Sequence, residues 1–185
     1  MLNLKSIAAN DVPDLEDFIR LAVEADWACY TTEADRAEYD RMKRVITAFP
    51  QGFRVYLQTD AAGRDVPVGY TGWYPLPRAV FDRLHDAPQT LTHRGDAAPL
   101  TSLSPDGDYL YLFNYSIIPA LQKTESSRAM LQTFARAVCA TPHRGMAAVT
   151  VSPDGARVAE RFGLRLRGVM THDGEPENVY AFRLY

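Results

Sequence analysis

The sequence predicts an α+β fold: a mixed sheet of six to seven strands flanked by about four helices. Three observations carry this. The stretch "DYLYLFNYSII", residues 108–118, is a long apolar run of the kind buried on both faces of a sheet. A helix-periodic segment and a second buried run, "GMAAVTVS", follow it, and strand–helix–strand implies a right-handed parallel crossover. Upstream, "FRVYLQTD" and "VPVGYTGWYPL" flank the polar turn "AAGRD" and read as an antiparallel hairpin.

The remaining elements follow in order. "LNLKSIA" alternates as a short first strand. Asn10 or Asp11 can cap the next helix, with Pro13 in its first turn and Leu15, Phe18, Ile19, Ala22 and Val23 as its apolar stripe. "TTEADRAEYDRMKRVITAF" reads as a second helix capped by Thr31 or Thr32, with Met42, Val45, Ile46 and Phe49 inward. Gly69 and Gly72 inside the third strand mark a bulge or a close backbone approach.

Residues 78–107 are the least regular part. "RAVFDRLHDA" fits a helix, and the polar, proline-containing remainder reads as a long loop. After the fourth strand, Ser126 or Ser127 opens a helix whose core stripe is Met130, Leu131, Phe134, Ala137 and Val138. Ser152 caps the next helix, Pro153 takes its first position and Gly163 ends it. "LRLRGVMTH" and "ENVYAFRLY" close the chain as two strands around "DGEPE". "SPDG" occurs twice, at 104–107 and 152–155, but its flanks do not match, so it is a recurrence of turn residues and no repeat.

A chain of 185 residues suits one domain, here 1–185 with the irregular segment at about 78–107 as an insertion. The net charge of −3 comes with no long basic run, which argues against nucleic-acid binding. No apolar window reaches the length that spans a bilayer, and no signal peptide is visible. Cys29 and Cys139 form no CxxC pair and read as reduced thiols of a cytoplasmic protein. The four histidines are scattered without metal-ligand spacing, so no metal site is expected.

In its element order the chain resembles the GNAT superfamily of acyl-CoA-dependent N-acyltransferases. The resemblance covers nearly the whole chain except the irregular segment. "VPVGYTGWY" is similar to the family's third strand, and "SPDGARVAERFGLRLRG" to its late helix, ending here in Phe162, Gly163 and Leu164. The stretch "IIPALQKTESSRAML" carries the third match. The family's fourth strand ends in an apolar residue, any residue and proline, and a loop R/Q-x-x-G-x-G/A precedes a helix. Ile117, Ile118 and Pro119 fill the strand end, Gln122 opens the loop, and Glu125 and Ser127 stand where the two small residues belong.

The resemblance implies acetyl-CoA or another acyl-CoA as substrate. Its pyrophosphate would lie on the backbone N–H groups of a helix start, where partial positive charge collects. Ile117, Ile118, Gln122, Lys123, Thr124, Glu125, Ser126, Ser127 and Arg128 become the cofactor-binding candidates. Strand groups at Ile117 and Ile118 would pair with the pantetheine arm. Glu125 departs from the pattern: it puts a carboxylate beside a pyrophosphate, with Lys123 and Arg128 as compensating charges.

The usual catalytic groups are replaced as well. Ala159 holds the place of the late-helix tyrosine, and Tyr111 that of the fourth-strand carboxylate base. Near its reference pKa of about 10 a tyrosine is a weak base at neutral pH, though it can position a water. Tyr111 and Tyr115, on one strand face with Phe113 and Ile117, are the catalytic candidates. Their alternative role, shared with Tyr70, Trp73 and Tyr74, is core packing. The implied partner is a small-molecule or peptide amine acceptor, with no nucleic acid or membrane, and a homodimer is compatible with the sequence. A non-catalytic GNAT-fold binding module is the alternative function, favoured by Glu125 and Ala159 as Gln122 and the preserved register favour the enzyme.

Overall fold

A computed structural model describes residues 4–30, 32–33, 36–92 and 108–184. The elements run β1 (Leu4–Ala8), α1 (Leu15–Cys29), α2 (Tyr39–Ala48), β2 (Phe53–Thr59), β3 (Asp65–Leu76), α3 (Arg78–Asp86), β4 (Asp108–Ile117), α4 (Glu125–Ala140), β5 (His143–Thr150), α5 (Pro153–Arg161), β6 (Arg165–His172) and β7 (Glu175–Arg183). The seven strands form a mixed sheet in the order β1-β2-β3-β4-β5-β7-β6. β4 and β5 pair in parallel, while β1–β2, β2–β3, β5–β7 and β6–β7 are antiparallel. The α+β class, the antiparallel β2–β3 hairpin and the parallel pairing of β4 with β5 are as the sequence predicts. The first "SPDG" and most of the long loop lie outside the described residues.

The chain forms two compact units. One is Met1–Gly72 with Asn114–Cys139; the other is Trp73–Phe113 with Ala140–Tyr185. In the first, Phe18, Ile19 and Ala22 of α1 and Met42, Val45 and Ile46 of α2 are buried, as is Phe49 just beyond α2. A second cluster joins Tyr56, Val68, Ile117, Leu121 and Met130, with Leu4, Val66, Tyr115 and Ile118 packed against it. It ties the end of β4 and the following turn to α4. In the second unit the rings of Phe81 and Tyr109 stack at 3.9 Å. Arg183 lies over both and donates to Asp82 at 2.6 Å.

Several boundaries differ from the sequence reading. Asp14, not Asn10 or Asp11, caps α1, accepting from the Glu16 N–H at 2.8 Å. Pro13 holds Val12 extended (φ −98°, ψ 145°), so the helix starts beyond it. Thr31 lies outside the described residues, and α2 starts only at Tyr39, past Thr32; two residues before that start the Ala37 N–H donates to the Asp26 carboxylate of α1. α4 starts one residue early, at Glu125, and Ala137 faces solvent rather than core. The last turn is only Asp173 and Gly174 (φ 51° and 88°), a tight hairpin in which His172 pairs with Glu175. Ser152, Pro153 and Gly163 (φ 80°) bound α5 as expected.

Gly69 is a close approach. A Cβ there would lie 2.4 Å from the Ser116 carbonyl oxygen and 3.0 Å from Ile117 Cα. The β2–β3 register also shifts beside it, between Tyr56↔Gly69 and Leu57↔Pro67. Val68, left out of that ladder, turns its carbonyl to accept from the Ile118 N–H at 2.9 Å. One glycine and one bulge thus fix where β4 ends.

Candidate functional site: the turn from the fourth strand into the fourth helix

β4 leads into the turn through Ile118, held extended (φ −53°, ψ 147°) by the proline after it. Pro119–Leu121 make one 3-10 turn, and Leu121 points into the core. Gln122 is extended, Lys123 takes the left-handed conformation (φ 61°), and α4 begins at Glu125. A non-glycine residue in that conformation costs about 1–2 kcal/mol, so the surrounding bonds must hold it.

Those bonds share one direction. The Thr124 hydroxyl donates to the Leu121 carbonyl at 2.6 Å, and the Ser127 hydroxyl to the Thr124 carbonyl at 2.9 Å. The Gln122 amide donates to the Ile117 carbonyl at 3.4 Å. The Tyr115 hydroxyl, from β4, donates to the Ser127 carbonyl at 2.7 Å. Each side chain satisfies a carbonyl. Among the described residues no hydrogen bond engages the backbone N–H groups of Lys123, Thr124, Glu125, Ser126 or Ser127, whereas the Arg128 N–H reaches the Thr124 carbonyl at 3.2 Å. Thr124, placed to cap α4 by accepting, donates instead. The helix therefore starts with its orphan donors and the positive end of its dipole available.

The charges round this start are solvent-facing. Gln122, Lys123, Glu125 and Arg128 are exposed, while Ser126 is buried and Thr124 and Ser127 are half-buried. Among the described residues Glu125 makes no ion pair with Lys123 or Arg128. An exposed carboxylate at the first position of a helix suits the dipole. The Ile118 N–H is occupied by Val68, so it is not available to an added strand-like ligand.

The structure brings Tyr115, Ile117, Ile118 and Gln122 through Arg128 together in one unit and places Tyr111 in the other. Tyr111 is buried and stacks on Tyr74 with centroids 5.2 Å apart, and Phe113 lies 5.7 Å from the same ring. The β4–β5 ladder runs from Asp108↔His143 to Tyr111↔Ala147 and ends there, although both strands continue. Ala159 is buried in α5.

Sequence reasoning overlooked the other face of β4. Asn114 and Ser116 are joined by a bond of 2.7 Å, and the Tyr30 hydroxyl donates to the Asn114 amide oxygen at 3.2 Å. Cys29, beside Ser116, has its thiol pushed up to about 12, by burial first, partly countered by the Ser116 hydroxyl. Nearby in α1, Asp26 is buried and accepts from the Tyr70 hydroxyl and the Ala37 N–H, both at 2.7 Å. Burial raises its pKa above the ordinary carboxylate value. The available signal was the "NYS" interruption in an otherwise apolar run, two polar residues one strand period apart.

No family model matches the sequence, and no curated protein matches it significantly. Solved structures do. GphF GNAT-like decarboxylase in complex with isobutyryl-CoA matches with a TM-score of 0.62 and 15% identity, over 99% of this chain and 100% of that one. Ard1 from Thermoplasma volcanium matches at 0.58 and 10% identity, over 99% and 97%. Arabidopsis thaliana Naa50 in complex with the bisubstrate analogue CoA-Ac-MVNAL matches at 0.59 and 8% identity, over 98% and 99%. At these identities the likeness is one of fold, and it extends over full lengths.

Proposed function

We propose that this chain, which has the GNAT fold, acts as a single acyl-CoA-dependent N-acyltransferase domain that moves an acyl group, acetyl in the simplest case, onto an amine. One observation carries the reading: the row of unengaged N–H groups from Lys123 to Ser127 at the start of α4, left free because the turn's side chains bond carbonyls. Such a row, at the positive end of a helix, suits a pyrophosphate. Gln122, Lys123 and Arg128 stand round it as further donors. The likeness to structures whose names include isobutyryl-CoA and CoA-Ac-MVNAL supports an acyl-CoA substrate, and the second supports a peptide among amine acceptors.

In this reading the amine attacks the thioester carbonyl, the carbon–sulfur bond breaks, and CoA leaves as the thiolate while the amine loses a proton. Held close, the two reactants need little further help, since proximity supplies several kcal/mol of the barrier, up to about 10. Tyr111, six positions before Ile117 on β4, is the candidate to orient the amine or a water. Its phenol does not serve as a strong base at neutral pH.

The first test is ligand-induced stabilisation with acetyl-CoA and isobutyryl-CoA. At a hundred times its Kd either would add about 2.7 kcal/mol and raise Tm measurably. An unchanged Tm at millimolar concentrations of both would overturn the proposal. Binding without CoA release in the presence of a panel of amines and peptides would favour the non-catalytic module, which Ala159 supports because α5 offers no hydroxyl at that place.

A further inference from the structure

The amide row poses a problem of its own. An uncapped helix start frays, and a side-chain cap ordinarily holds it. Capping α4 in the ordinary way would spend the donors that an anion needs. The turn is held from its carbonyl side instead, and the longest tie is Tyr115, which reaches from β4 to the Ser127 carbonyl at 2.7 Å. The ring is itself fixed: it lies near parallel to Phe134 of α4 at 6.3 Å and packs on the cluster of Ile117, Leu121 and Met130. Ser127, anchored by Tyr115, in turn donates to the Thr124 carbonyl, and Thr124 donates to the Leu121 carbonyl. Tyr115 is thus the strand end of a chain of three bonds that runs back through the turn to Leu121.

We propose that Tyr115 is a positioning residue for the pyrophosphate-binding turn: its hydroxyl bolts the first turn of α4 to β4 through the Ser127 carbonyl and so presents the uncapped amides to the ligand. This rests on the acyl-CoA reading above and changes the part Tyr115 plays in it. The phenolic proton is committed to a backbone carbonyl, so Tyr115 neither protonates the leaving thiolate nor takes a proton from the amine. Its contribution is felt by the pyrophosphate and not by the reacting thioester.

Tyr115→Phe removes one hydroxyl and keeps the ring. Compared with wild type, the variant should bind CoA about three- to tenfold more weakly, the scale of one lost hydrogen bond. Its KM for acetyl-CoA should rise by a similar factor with kcat unchanged. S-acetylpantetheine, which has the thioester but no pyrophosphate, should react equally well with both proteins. Hydrogen exchange over residues 125–132 should be faster in the variant with no ligand present. A kcat lowered equally on both thioesters would make Tyr115 catalytic and overturn the proposal, as would unchanged CoA affinity or unchanged exchange. Failure of the wild type itself to bind CoA would instead sink the function reading, and this role with it.

Discussion

Asp26 is buried in α1 at 1% exposure and accepts two hydrogen bonds of 2.7 Å, from Tyr70 and from the Ala37 N–H. Asp26→Ala removes both. Tyr70 is also 1% exposed, so its hydroxyl has no water to turn to, and a buried unsatisfied donor costs about 1–3 kcal/mol. The Ala37 N–H is half-buried and rehydrates, losing only the net worth of a bond, about 1 kcal/mol. Relief of the carboxylate's own desolvation offsets part of this, leaving an expected loss of about 2 kcal/mol. Urea unfolding of Asp26→Ala, Tyr70→Phe and the double variant measures it. The double variant should be more stable than the sum of the singles by about 1 kcal/mol, since each single removes the same bond. The pH dependence has a definite sign. Burial raises the Asp26 pKa above 3.8, so between that value and the folded pKa the folded protein holds a proton that the unfolded chain has lost. The Asp26 contribution therefore grows as pH falls through this window and is lost as pH rises. The gap between wild type and Asp26→Ala should widen on acidification. Additive double-variant energies, or a loss under about 0.5 kcal/mol, would refute the account of this pair.

Three further outcomes are expected. Gly69→Ala puts a Cβ 2.4 Å from the Ser116 carbonyl oxygen, a backbone atom that cannot swing aside, and should cost about 1–3 kcal/mol in a denaturant melt. Glu125→Gln removes a carboxylate beside the proposed pyrophosphate; two like charges at about 6 Å in high dielectric give roughly 1 kcal/mol, so CoA should bind about three- to tenfold tighter by titration calorimetry. Unchanged affinity would mean that Glu125 stays clear of the ligand. Cys29, its thiol pushed up to about 12 by burial, should resist DTNB at pH 8 while exposed Cys139 reacts, so the folded protein should show one fast thiol and the denatured protein two.

Local signals made much of the fold legible. The apolar run of β4, the periodicity of Met130, Phe134 and Val138, the Ser152–Pro153 start of α5 and the Gly163 end depend on neighbours within a turn or two, and each appears where the residues put it. Boundaries set by distant bonds were not legible. Thr32 is a good cap in isolation, yet α2 starts at Tyr39, just after an Ala37 N–H that Asp26 holds. Asp26 itself reads as one more charge on an amphipathic helix until Tyr70 is seen against it.

The site divides the same way. Residues Ile117 to Leu131 already spell a turn into a helix, with a proline and several hydroxyl groups, because turn chemistry is local. Packing around them set the rest: Glu125 faces solvent, Thr124 and Ser127 donate to carbonyls, five amides are unengaged among the described residues, and the Tyr115 hydroxyl reaches the Ser127 carbonyl of α4. Hydroxyls can donate or accept with equal ease, and only the groups packed around them select which.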